Sequence, residues 1–213
     1  MKTDELIEML GTNLEPVKGG QLRNGVLIAL TVAVGTVAAI CLTWGALGMP
    51  TDWQSGDHFG FKVIALIFTL GLAGAGASVL FRSARPGQSR RRPFVLIGLL
   101  FVAVVSAAIV ALAASDSFTS SMMGGPWGSC LICIPIFAVV PFVAFIWALR
   151  KGAPTNLVLA GAIAGLVAGA LGAAAVVVHQ AGDSIPFIAL WYGGPVALCA
   201  LVGAILGPRL LRW

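Results

Sequence analysis

The sequence predicts an all-α integral membrane protein of six transmembrane helices with both termini cytoplasmic, and three observations carry that prediction. Of 213 residues, 59% are hydrophobic and 10% charged, against about 25% charged in an average soluble domain. A soluble chain of this length leaves too much of its area exposed to hide so much apolar surface. The charged residues leave uncharged runs at 24–51, 63–81, 93–115, 117–149, 152–182 and 184–208. Each run can cross a hydrocarbon core, which takes about 20 residues of helix. The third observation is charge sidedness. Lys2, Lys18 and Arg23 precede the first span; Arg82, Arg85, Arg90, Arg91 and Arg92 join spans two and three; Arg150 and Lys151 join four and five; Arg209 and Arg212 follow the last. That places twelve of the 13 basic residues on one side, Lys62 excepted, and the positive-inside rule makes that side the cytoplasm.

The chain divides into a cytoplasmic segment, 1–23, and a membrane domain, 24–213. Residues 1–20, MKTDELIEMLGTNLEPVKGG, repeat Leu6, Ile7, Leu10, Leu14 and Val17 at three- and four-residue spacings, which is one apolar stripe of a helix. Thr3 caps it, Asp4 and Glu5 suit its positive end, and Glu8 adds to its acidic side. Gly11 weakens the helix and Pro16 ends it. Helices that lie on anionic membranes carry Lys and Arg on the polar face, whereas this one is acidic. Its stripe suits a groove on a basic soluble partner, the alternative being a disordered leader. A cleavable signal peptide is not expected, since the first apolar run exceeds the usual 7–15-residue core.

The spans are placed near 25–44, 62–81, 94–114, 129–149, 156–178 and 190–207. Continuous apolar runs favour helices over barrel strands, which alternate. Gly71, Gly74 and Gly76 cluster in span two, Gly161, Gly165 and Gly169 recur every four residues in span five, and Gly203 and Gly207 repeat that spacing in span six. Such spacing makes close packing seams in lipid. Pro135 and Pro141 should kink span four. Trp44, Trp53, Trp127, Trp191 and Tyr192 fall near the outer ends as interfacial aromatics, beside Asp52, Asp57, Asp116, Asp183, His58 and His179. The arginine loop at 82–92 reads as a topology signal or as a grip on anionic lipid.

The functional classes narrow by what is missing. No Asp, Glu, Lys or Arg falls in the middle of a span, which disfavours pumps and ion-coupled transporters. No HExxH, GxSxG or P-loop pattern occurs, so an enzyme is not expected. A basic soluble domain for direct nucleic-acid binding is also lacking, despite the sequence pI of 9.4. A small transporter or channel, with the glycine-rich spans five and six lining a path, remains the alternative from another class.

Four cysteines are present. Cys41 and Cys199 read as small apolar core residues. Cys130 follows Gly128 and Ser129 at the start of span four, where a helix dipole favours a thiolate, and Cys133 lies one turn on. With His179 they form a candidate sensing group, or a soft-metal site if the three meet; simple packing is the other reading. No other cofactor is expected.

The pattern resembles the NrsF-type six-span bacterial membrane anti-sigma factors. The residues that carry the resemblance are Thr3-Asp4-Glu5-Leu6-Ile7 with Leu10, then Pro16-Val17, Trp127-Gly128-Ser129-Cys130, Ile134-Pro135, Pro186-Phe187, Ala189-Leu190-Trp191-Tyr192 and Leu206-Gly207-Pro208-Arg209-Leu210. It implies a protein of the bacterial inner membrane whose N-terminal segment sequesters an extracytoplasmic-function sigma factor and releases it on an envelope, oxidative or metal stress. The sigma-binding residues would be Thr3, Asp4, Glu5, Leu6, Ile7, Glu8, Leu10, Leu14, Pro16 and Val17. One departure is Gln180, which follows His179 where members of the family often carry a cysteine.

Overall fold

A computed structural model describes residues 21–46, 59–83, 91–115, 123, 127–152, 154, 156–179 and 184–212. Its architecture follows from one helix of small residues. The sequence LVLAGAIAGLVAGALGAAAVVVH forms helix α5, Leu157–His179, opened by Asn156, whose Oδ1 accepts from the Leu159 amide at 3.0 Å. Side chains this short let neighbours approach from every direction. Nearly the whole of α5 is accordingly buried, with α1 (Gln21–Ala46), α2 (Phe59–Ser83), α4 (Trp127–Arg150) and the last helix all packed on it.

The last helix, α6, spans Ile185–Leu210. Helix α3, Arg91–Ala113, stands at the periphery against α2 and the first turns of α6. It turns Val95, Leu99, Val102, Ile109 and Val110 outward. A row of exposed valines, leucines and isoleucines is stable where the surrounding solvent is hydrocarbon. All six helices are long and apolar enough to cross a membrane.

The glycine spacing does what it predicts. A Cβ on Gly161 would strike the Gly203 carbonyl, one on Gly165 the Cys199 carbonyl, and one on Gly207 the Leu157 carbonyl. Helices α5 and α6 thus run antiparallel in backbone contact. Where the two stripes face each other they are closed by main chain, and Gly165 and Gly203 otherwise border only a side groove toward α4, so the channel reading loses the feature that motivated it. In α2, Gly71 faces Leu100 of α3 and Gly76 faces Val167 of α5, while Gly74 looks into open space.

Helix α4 runs unbroken through Pro135 and Pro141. Around the first proline, a Cβ on Gly172 of α5 would stand 2.8 Å from the Ile134 carbonyl oxygen and 3.2 Å from the Ala138 nitrogen, so α5 presses on the backbone on both sides of Pro135. At the opposite end from Trp127, Arg150 donates Nε to the Leu210 carbonyl oxygen at 2.7 Å. That bond ties the C-terminal ends of α4 and α6.

The helix starts differ from the sequence reading by one to five residues, most at the first and last helices. Helix α1 begins at Gln21 rather than 25, and α6 at Ile185 rather than 190. The second difference has a local cause: Ser184 accepts from the Phe187 amide at 3.2 Å, and Pro186 occupies the first turn, where its missing N–H costs nothing.

Candidate functional site

The best-organised cluster lies where α4 and α6 begin and α1 and α5 end. Its centre is a widened turn, Ile188–Tyr192, in π-helical conformation, closed by the Gly193 amide donating to the Ile188 carbonyl. Pro195 explains it. A proline there has no N–H to give the Trp191 carbonyl, and its ring would collide with that carbonyl in a regular helix. One extra residue in the turn relieves the conflict, and such bulges recur at functional sites.

The bulge carries Tyr192 inward. Its side chain is fully buried, which corrects the expectation that it anchors at the membrane interface. It shares a hydrogen bond with Cys130, and its ring lies edge-on to Phe187, centroids 6.0 Å apart. A tyrosine hydroxyl in an apolar interior requires a polar partner, and Cys130 supplies it. Trp191, one residue back, pairs with Trp127 at 5.2 Å, so the mouths of α4 and α6 are joined by an aromatic contact outside and a thiol–phenol contact inside.

Cys130 is fully buried, not the exposed thiolate that its place at a helix start predicts. Cys133 is half-buried, and all four cysteines are free thiols. Neither Cys41 nor Cys199 is fully enclosed, although both were expected in the core. Cys199 instead lies in the α5–α6 seam against Gly169.

His179 is buried at the end of α5. Its Nδ1 lies 3.3 Å from the Ala175 carbonyl oxygen of its own helix, and its ring meets Trp44 edge-on at 5.0 Å. Trp44 in turn contacts Phe137 at 5.3 Å. Among the described residues no group of three or more His, Cys, Asp or Glu side chains is placed to hold a metal ion, so Cys130, Cys133 and His179 do not meet as a ligand set. Lys62, one turn into α2, is almost completely buried, where the sequence placed it at the span boundary.

The predicted partner-binding residues Thr3, Asp4, Glu5, Leu6, Ile7, Glu8, Leu10, Leu14, Pro16 and Val17 lie outside the described residues, as do Trp53 and the outer acids. The sequence reading missed the Tyr192 contact. Its signal was present as Pro195, whose missing N–H cannot serve the Trp191 carbonyl four residues before it.

Fold and site define an all-helical protein with six helices long and apolar enough to cross a membrane, whose organised side chains gather at helix mouths. The chain belongs to the NrsF family, described as negative regulator of sigma F, whose pattern matches residues 10–213. It is similar over its whole length, and over theirs, to the anti-sigma-F factor NrsF of Caulobacter vibrioides, at 32% identity, and to a probable anti-sigma-F factor NrsF of Azospira oryzae, at 29%. These names are those of regulators of a sigma factor, not of enzymes. No solved structure matches the chain.

Proposed function

We propose that this protein is an inner-membrane anti-sigma factor, with both termini in the cytoplasm, whose residues 1–20 sequester a sigma factor of the extracytoplasmic-function type. The observation that carries the reading is the end-to-end correspondence with anti-sigma-F factors, joined to the one acidic amphipathic segment of the chain. Leu6, Ile7, Leu10 and Leu14 are the apolar anchors for a groove on the partner. Asp4, Glu5 and Glu8 meet basic residues at its rim, and Thr3, Pro16 and Val17 frame the helix. Such a segment is marginal alone in water and orders on contact.

Release begins at the outer end, where a stress acting on Cys130 and Cys133 disturbs the link between α4 and α6. The test is Leu10→Asp in the full chain. Burying a carboxylate at an anchor removes a hot spot of about 2 kcal/mol or more, so sigma-dependent transcription rises without stress while the protein remains at normal abundance in the membrane. Unchanged transcription at normal abundance refutes the assignment of the segment.

A further inference from the structure

We propose that the groove between α4 and α6 holds one acyl chain of an anionic phospholipid, with the phosphate taken by Arg209 and Arg150. The proposal rests on these helices crossing a bilayer and is independent of the sigma factor. A cavity of about 310 Å³ runs between the two helices, walled by Val139 and Phe142 of α4 and by Val202 and Leu206 of α6, over a floor of Gly165 and Ala168 of α5. The small floor residues give it depth. Val139 and Val202 are 56% and 46% exposed, so the groove opens on the outer surface of the bundle. In a bilayer that surface faces hydrocarbon, and an unfilled apolar groove forfeits the dispersion contacts a chain supplies.

Charge selects the kind of lipid. Arg209 lies seven residues, two helical turns, beyond Val202 and so continues the groove-lining face of α6; it is exposed. The bond from Arg150 to Leu210 brings a second guanidinium to the same end, and four donors of that group remain beyond the one given to the carbonyl. The sequence has no Asp or Glu from 117 to 182 or from 184 to 213, so α4, α5 and α6 contain no carboxylate to neutralise this pair. Guanidinium is well matched to phosphate oxygens, and basic pockets between helices at a membrane surface take anionic head groups.

The experiment is native mass spectrometry of the full chain released from nanodiscs containing equal phosphatidylglycerol and phosphatidylcholine. The expected result is one retained phospholipid, enriched in phosphatidylglycerol roughly tenfold or more, given about a decade in affinity per 1.4 kcal/mol and two basic residues. Val202→Trp fills the groove and abolishes retention, whereas Val105→Trp on the outer face of α3 leaves it unchanged. Arg150→Gln with Arg209→Gln, in which the glutamine amide at 150 is still a donor for the Leu210 carbonyl, keeps a retained lipid but brings the two head groups to near parity. Retention without head-group preference, retention that survives Val202→Trp in a folded protein, or a second copy of the chain in place of lipid would each overturn the proposal.

Discussion

Tyr192 of α6 and Cys130 of α4 share a hydrogen bond in the interior of the bundle, and neither side chain reaches its surface. Removing the hydroxyl in Tyr192→Phe keeps the ring packing and leaves the thiol without its partner, at a cost of about 1 kcal/mol. N-ethylmaleimide labelling of Cys130 should then accelerate severalfold while that of half-buried Cys133 does not. An unchanged Cys130 rate, read by peptide mass spectrometry, would show that the phenol does not guard the thiol.

Pro195→Ala restores an amide able to bond the Trp191 carbonyl. The turn at Ile188–Tyr192 should relax to a regular helix, and one residue fewer per turn rotates the preceding segment by about 100° relative to the rest. Tyr192 would leave Cys130, so labelling should rise as it does for Tyr192→Phe. Labelling at the wild-type rate would mean that the bulge does not depend on the proline.

Cys130→Ser preserves size and a hydrogen-bonding group but loses thiol chemistry. Basal repression of the sigma factor should hold, while release under oxidant or metal stress should be blunted in a transcription reporter. Full release in this variant would move sensing away from the α4–α6 mouth.

At Gly161 and Gly203 the seam between α5 and α6 has no room for a side chain. Gly161→Val and Gly203→Val each place carbon onto opposing backbone, and overpacking of this kind costs about 1–3 kcal/mol. Gly35→Ala, where a Cβ meets nothing within 4 Å, should be neutral or slightly stabilising. Thermal melting in detergent separates the cases, and equal melting temperatures for all three variants would contradict the observed contact.

The six long apolar helices were legible in the sequence, because lipid would leave a crossing chain little choice. With no water to satisfy backbone groups, long apolar runs become helices, and charges mark where they end. The α5–α6 seam was also legible, since glycine every fourth residue has few other uses in a membrane. Which side of each helix is buried was not. In a soluble protein polarity separates the faces of a helix, but here both faces of α4 and α6 are apolar, and the choice falls to shape.

The sequence alone therefore determined the six helices long and apolar enough to cross a membrane and the family to which the chain belongs. Only the tertiary structure decided that α5 is the hub, that Cys130 is buried while Cys133 is partly open, and that Tyr192 turns inward through a widened turn. Hydropathy records how a residue transfers from water, whereas in hydrocarbon packing goes to the helices whose backbones can approach most closely. That depends on which small residues face one another across different parts of the chain.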